Sequence, residues 1–236
     1  MADQIDYIIH GDDLQIVEVE LDPDEAVRGE IGTMMYMDDG IEMQTSTGGG
    51  IFKGFKRLVT GESFFISTFL NNSAQKKKVS FAATYPGKVI PIDIEQEGGS
   101  FLCQKDAFLC AAAGIEVEVA FTKRFGSGLF GGEGFILQRL TGNGMAFMHS
   151  GGTSVERKLR AGEKLIVDTG CLVGLSESVD YDIRFVGGFK NALFGGEGLF
   201  LAEVSGPGTV YLQSLPFSRL VDRIAAAVNV THNDRG

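Results

Sequence analysis

The sequence predicts an all-β chain built from three tandem copies of one small β unit, followed by a single C-terminal helix. Three observations predict it: short segments alternate apolar and polar side chains, glycine-rich breaks separate them, and a nine-residue motif recurs in register. Gly fills 33 of 236 positions while Pro fills 5 and charged residues make up 22%. That is about twice the usual glycine share and excludes both a disordered chain and collagen. The length suits one all-β domain with a core of ordinary size.

The elements follow from the chain in order. Ile5, Tyr7 and Ile9 alternate with polar neighbours, His10-Gly11-Asp12-Asp13 reads as a turn, and Leu14, Ile16, Val17, Val19 and Leu21 lead to the break at Asp22-Pro23-Asp24. A strand, a turn and a second strand result. The same cadence returns at Ile115–Val119, Val179–Ile183 and Thr209–Leu212. Segments of this period and length predict an antiparallel sandwich or barrel. A helical period occurs after Pro216, where Leu220, Val221, Ile224 and Val228 share one face behind an expected cap at Ser218. The predicted helix spans 216–230 and is expected to pack on the sheet.

Self-comparison supplies the organisation. Leu129-Phe130-Gly131-Gly132-Glu133-Gly134-Phe135-Ile136-Leu137 and Leu193-Phe194-Gly195-Gly196-Glu197-Gly198-Leu199-Phe200-Leu201 agree at seven of nine positions, and Phe147-Met148-His149 then answers Tyr211-Leu212-Gln213. A weaker third copy begins at Gly61-Glu62-Ser63-Phe64-Phe65-Ile66. An upstream element is read at Met37–Ile41, Gln104–Phe108 and Val167–Cys171, which would make Asp39, Asp106 and Asp168 equivalent. One compact domain is expected, with repeat 1 over about 1–90 including the N-terminal strands, repeat 2 over 91–157 and repeat 3 over 158–215. Equivalent packing of the three gives pseudo-threefold symmetry.

Composition limits the function classes. Lys and Arg number 21 against 31 Asp and Glu, a net charge of −10 that repels nucleic acid and anionic lipid at long range. The longest nearly apolar stretch, Ala107 to Ile115, is less than half of a bilayer crossing. Cys103, Cys110 and Cys171 form no C-x-x-C pair and sit in apolar company, as buried reduced thiols do. The amino terminus lacks the cationic and apolar regions of a signal peptide, so a cytoplasmic protein is expected.

The candidate binding residues are Glu62, Glu133 and Glu197, with His149. A threefold axis would gather the three carboxylates around a hard cation, whereas in Gly-Gly-Glu-Gly turns the same side chains hold the turn through local backbone N–H groups. No metal or cofactor is predicted. Gly126-Ser127-Gly128-Leu129-Phe130-Gly131 matches a dinucleotide fingerprint in letters only, because a strand follows it where the fingerprint needs a helix. The three histidines, His10, His149 and His232, have no second ligand at metal spacing, and nucleophilic catalysis has no recognisable motif. Lys76, Lys77 and Lys78, with Lys53, Lys56, Arg57, Phe52 and Phe55, form the basic and aromatic cluster of an acidic chain. It reads either as an RNA or anionic-membrane contact or as a solvated surface.

Several stretches together resemble a known family. Met34-Met35-Tyr36-Met37-Asp38, Leu58-Val59-Thr60-Gly61-Glu62-Ser63-Phe64-Phe65, Val167-Asp168-Thr169-Gly170 and Phe194-Gly195-Gly196-Glu197-Gly198-Leu199 with Gly206-Pro207-Gly208-Thr209-Val210-Tyr211-Leu212-Gln213 are similar, in order, to bacterial relatives of the altered-inheritance-of-mitochondria (mitochondrial biogenesis) family. The resemblance extends from about Ile5 to Leu220. It implies three subdomains, each a short double-stranded β-helix like the tryptophan RNA-binding attenuator protein. The loop from Asn71 to Lys78 departs from the family's glycine-rich form, and Cys171 stands where the family commonly has His, which argues against a metal at that position. Eukaryotic members are associated with mitochondrial inner-membrane organisation, bacterial members are mostly uncharacterised, and no catalytic residues carry over.

The expected function is therefore a non-enzymatic scaffold or interaction protein that works through β surfaces and self-associates as a homo-oligomer. A small-ligand or RNA-binding module is the alternative through the attenuator resemblance, and a carboxylate-metal enzyme is the third. Nucleic acid is disfavoured as a partner by the net charge.

Overall fold

The structure is a computed structural model that describes residues 5–45, 66–123, 135–186 and 199–233. Strand β1 (Asp6–His10) precedes a unit of six strands that occurs three times. The first unit comprises β2 (Ile16–Leu21), β3 (Ala26–Glu30), β4 (Met34–Met37), β5 (Ile41–Thr45), β6 (Ile66–Asn71) and β7 (Lys77–Ala82). The second comprises β8 (Gly87–Asp93), β9 (Ser100–Gln104), β10 (Phe108–Ala112), β11 (Glu116–Lys123), β12 (Phe135–Thr141) and β13 (Met145–Gly151). The third comprises β14 (Ser154–Leu159), β15 (Lys164–Asp168), β16 (Leu172–Ser176), β17 (Asp180–Val186), β18 (Leu199–Ser205) and β19 (Gly208–Gln213), and helix α1 (Phe217–Asn233) follows.

Pairing is antiparallel throughout and identical in each unit. The sixth strand lies between the first and third, and the fifth lies between the second and fourth. One irregularity repeats in all three units, since the ladder of third and sixth strands shifts register at Met34/Tyr36, Phe108/Cys110 and Leu172/Gly174, while a further shift at Val119/Phe121 occurs in the second unit alone. Alternation explains the faces: in β2 the side chains of Val17, Val19 and Leu21 are buried while Glu18 and Glu20 face outward.

Successive units are joined by one further strand pair. β3 of the first unit pairs with β10 of the second, and β9 of the second pairs with β16 of the third, which produces two six-stranded sheets. The corresponding third pair, β15 with β4, is not made. β4 ends the four-stranded sheet β1-β2-β7-β4, and β15 ends the three-stranded sheet β15-β18-β17. The apolar interior follows the two joins: one cluster runs through the first two units with Phe69, Phe81, Phe101 and Phe147, and another links the third unit to Leu102, Phe135 and Leu137 of the second. At the second join, Arg139 makes a two-pronged contact of 2.7 and 3.0 Å with Glu177.

Glycine makes the joins close. Gly29 faces Cys110 across one pair and Gly174 faces Cys103 across the other. A Cβ on Gly29 would lie 2.4 Å from the Phe81 ring, and one on Gly174 would lie 2.7 Å from Phe101 and 2.8 Å from the Leu102 carbonyl. Both phenylalanines are fully buried and have no room to withdraw.

Three sequence expectations are corrected. The element shared upstream in every unit is a 3-10 turn between the second and third strands, at Ile31–Thr33, Lys105–Ala107 and Thr169–Cys171. Glu30, Gln104 and Asp168 cap these turns and are the true equivalents, so Asp39 belongs to the following turn and not with Asp168. Helix α1 begins at Phe217, ahead of the expected Ser218 cap, because the Leu220 N–H donates to the carbonyl of buried Pro216. Its apolar stripe does not pack on the sheet: Phe217, Val221, Ile224 and Val228 are 48%, 42%, 56% and 57% exposed. Periodicity predicts that a stripe exists but not what covers it.

Gly174→Val is expected to lower stability by about 1–3 kcal/mol through overpacking at the join. Exposed Gly114, whose added Cβ would make only an ordinary 3.6 Å contact, serves as the control. Urea unfolding should show Gly114→Ala within about 0.5 kcal/mol of the parent protein.

Candidate functional site

Glu62, Glu133 and Glu197 lie outside the described residues, as do Phe52, Lys53, Phe55, Lys56 and Arg57. Among the described residues no group of three or more His, Cys, Asp or Glu side chains is placed to hold a metal ion.

His149 is on β13, 1% exposed. Its ring meets Tyr85 edge-on at 4.5 Å, while Nδ1 finds no partner among the described residues. Gly87 lies against the ring so closely that a Cβ there would reach Nε2 at 2.4 Å. Burial holds the imidazole pKa down at about 4, well below the ordinary 6.5. The Tyr85 ring in turn contacts Phe217 at 5.2 Å, tying the base of α1 to the second unit. A neutral, enclosed imidazole of this kind is a packing element rather than a proton carrier poised near neutrality.

Gln213, the equivalent of His149 by pairing register, shows what the same position does when it is fully bonded. Its Oε1 accepts from Gly151 N–H at 2.8 Å and its Nε2 donates to the Gly170 carbonyl at 2.8 Å. One side chain thereby fastens the end of the second unit to the 3-10 turn of the third. Asp168 is similarly structural: its carboxylate accepts from Gly170 N–H at 2.9 Å and from Arg219 of α1 at 2.5 Å.

The lysine cluster is matched by acids of its own chain. Lys76 lies 3.1, 3.2 and 3.4 Å from Glu20, Asp22 and Asp6, and Lys78 lies 2.7 Å from Glu18, which Tyr36 also contacts through its hydroxyl. These hydrogen bonds hold the Lys76 and Lys78 ammonium groups above their ordinary range and the Glu18 carboxyl below it. Lys77 is half-buried beside the turn at Gly40. The arrangement is a cross-strand charge ladder on β2 and β7 instead of an open cationic patch. The thiols are equally occupied: burial pushes Cys103 up to about 12, Cys110 well above its ordinary value and Cys171 upward. None is a ready nucleophile.

Among the described residues, large apolar side chains face solvent on β4, β15 and α1, and also at Tyr7, Ile8, Leu14, Met43 and Val155. In β4, Met35, Tyr36 and Met37 are 60%, 38% and 38% exposed, and in β15 Ile166 is 65% exposed. Sequence reasoning missed these side chains as functional candidates. Their signal was present in the uninterrupted apolar run Met34-Met35-Tyr36-Met37, which lacks the alternation of a half-solvated strand.

The family model described as mitochondrial biogenesis AIM24 matches residues 7–215. The chain belongs to this family. An uncharacterized protein of Streptococcus pyogenes serotype M6 is 26% identical over 208 residues, covering 85% of this chain and 81% of that protein. A crystal structure of a Streptococcus pyogenes protein, 24% identical, superposes with a TM-score of 0.76 over 95% of this chain and 100% of that one. The AIM24 chain thus shares its fold with a solved bacterial structure. No helix among the described residues is long and apolar enough to cross a membrane.

Two outcomes are expected. Because the folded state keeps His149 neutral down to about 4, an unfolded imidazole of ordinary pKa takes up the proton first, so stability is full above about pH 6.5 and falls as pH drops toward 4. Urea unfolding at pH 7 and pH 4.5 should show His149→Gln lacking about 2–3 kcal/mol of the parent's acid-induced loss. Replacing Lys76, Lys77 and Lys78 by Gln should leave the affinity for single-stranded RNA and its salt dependence unchanged in fluorescence anisotropy, whereas a flatter salt dependence would make them phosphate contacts.

Proposed function

We propose that this AIM24-family chain is a non-catalytic scaffold that acts through its β surfaces and self-associates. The observation that carries this reading is the distribution of exposed apolar side chains. Met35, Tyr36 and Met37 in β4, Ile166 in β15, and Phe217, Val221 and Ile224 in α1 face solvent at the ends of the repeat array, while His149, Cys103 and Cys110 are enclosed. Exposed large apolar side chains grouped on single elements mark candidate interaction surfaces. The reading also agrees with the acidic balance, since a net charge of −10 keeps an oligomer soluble and discourages nonspecific nucleic acid contact.

Size-exclusion chromatography with light scattering, followed by native mass spectrometry, tests the proposal. The expected result is a bare assembly whose mass is a whole multiple of 25.3 kDa. A strictly single-chain species would overturn self-association, and a reproducible extra mass would replace the scaffold reading with a ligand-binding one.

A further inference from the structure

The two joins inside the chain define how a second-position strand receives a third-position strand, and each end of the chain carries one half of a third, unmade join. In the first join, Gly29, one residue before the turn-capping Glu30, faces Cys110, the third residue of β10. In the second, Cys103, one residue before Gln104, faces Gly174, the third residue of β16. The register is therefore the same in both. Carried to the free strands, it sets Val167 of β15 opposite Tyr36 of β4, Ile166 opposite Met37, Leu165 opposite Asp38 and Lys164 opposite Asp39.

Side-chain chemistry fits that register. Met37 and Ile166, the exposed apolar residues at 38% and 65%, fall directly opposite each other. Lys164, whose ammonium lies 2.5 Å from Glu203 of its own chain, falls opposite Asp39 where the second join places Ser100 and Glu177, whose side chains hydrogen bond at 2.9 Å. Burial points the same way: β10 and β16 are buried at every residue, whereas β4, the same strand of the first unit, is exposed from Met35 to Met37. An exposed, apolar edge that has no partner strand among the described residues is a liability that folds avoid.

We propose that β4 of one copy adds antiparallel to β15 of the next, in the register Tyr36 to Val167 and Met37 to Ile166, so that AIM24-family chains assemble head to tail through the join they already make twice internally. This rests on the self-association reading and names its surface. The contact is heterologous, so every copy contributes one edge and receives the other. Backbone hydrogen bonds supply the adhesion, and the Met37–Ile166 and Asp39–Lys164 pairs set the register.

Cysteine cross-linking tests it directly. Facing residues in an antiparallel pair have Cα atoms about 4.5–5.5 Å apart, within disulfide range. Oxidation of a mixture of chains carrying only Met37→Cys with chains carrying only Ile166→Cys should give the mixed dimer as the dominant cross-linked species. No enrichment over either homodimer would overturn the proposal. A chain carrying both cysteines that closes into an internal disulfide at single-chain mass would overturn it as well, because the edges would then meet within one copy. Light scattering supplies the second test: Met37→Glu and Ile166→Lys should each reduce the assembly to 25.3 kDa, and the double variant should restore it. Both positions are exposed, and unchanged circular dichroism confirms folding. A parent protein that is already a single chain removes self-association altogether, whereas a parent assembly indifferent to both variants removes only this edge.

Discussion

Everything in this molecule depends on one requirement, that the backbone donors and acceptors along a strand find partners. Within a six-stranded unit the first, second, third and fourth strands each keep one outer edge, and the joins between units use those of the second and third. The chain meets this by setting the third strand of one unit against the second strand of its predecessor. Where that join is made, β10 and β16 become central strands of six-stranded sheets and can be apolar throughout. Where it is not, the same apolar character in β4 remains on the surface.

The join also governs the small residues and the thiols. One residue of each facing pair is glycine, Gly29 or Gly174, because a Cβ there would run into a buried phenylalanine ring, and the partner in each case is a buried cysteine. The exclusion of water from the joins explains why Cys103 and Cys110 hold their protons strongly. Charged groups are left on the outside, where Lys76 and Lys78 lie in a ladder of acids and Arg139 grips Glu177 across the second join.

Much of this was readable in advance, and the failures are instructive. The match of Phe147-Met148-His149 to Tyr211-Leu212-Gln213 holds in three dimensions, because Met148 and Leu212 occupy the same rung opposite Phe108 and Leu172. The Asp39 alignment failed because acidic turns look alike in one dimension, while the repeated 3-10 turn is bounded by different letters in each unit: Glu30 to Met34, Gln104 to Phe108 and Asp168 to Leu172. The lysine run was ambiguous for a related reason. Nothing in Lys76-Lys77-Lys78 shows that strand pairing will bring Glu18 and Glu20 from nearly sixty residues upstream to face it.

The fold class, the threefold repetition of the unit, the terminal helix and the membership of the AIM24 family are all legible along the chain, because alternation, glycine breaks and a recurring motif are local properties. Which edges are paired, that His149 is enclosed beside Tyr85 while Gln213 bridges two units, and that Met37 and Ile166 face water emerge only from the folded chain. The physical reason is that strand order and burial are set by contacts between residues far apart in the chain. A strand's composition shows that it must be covered, and the fold alone shows whether its own chain covers it.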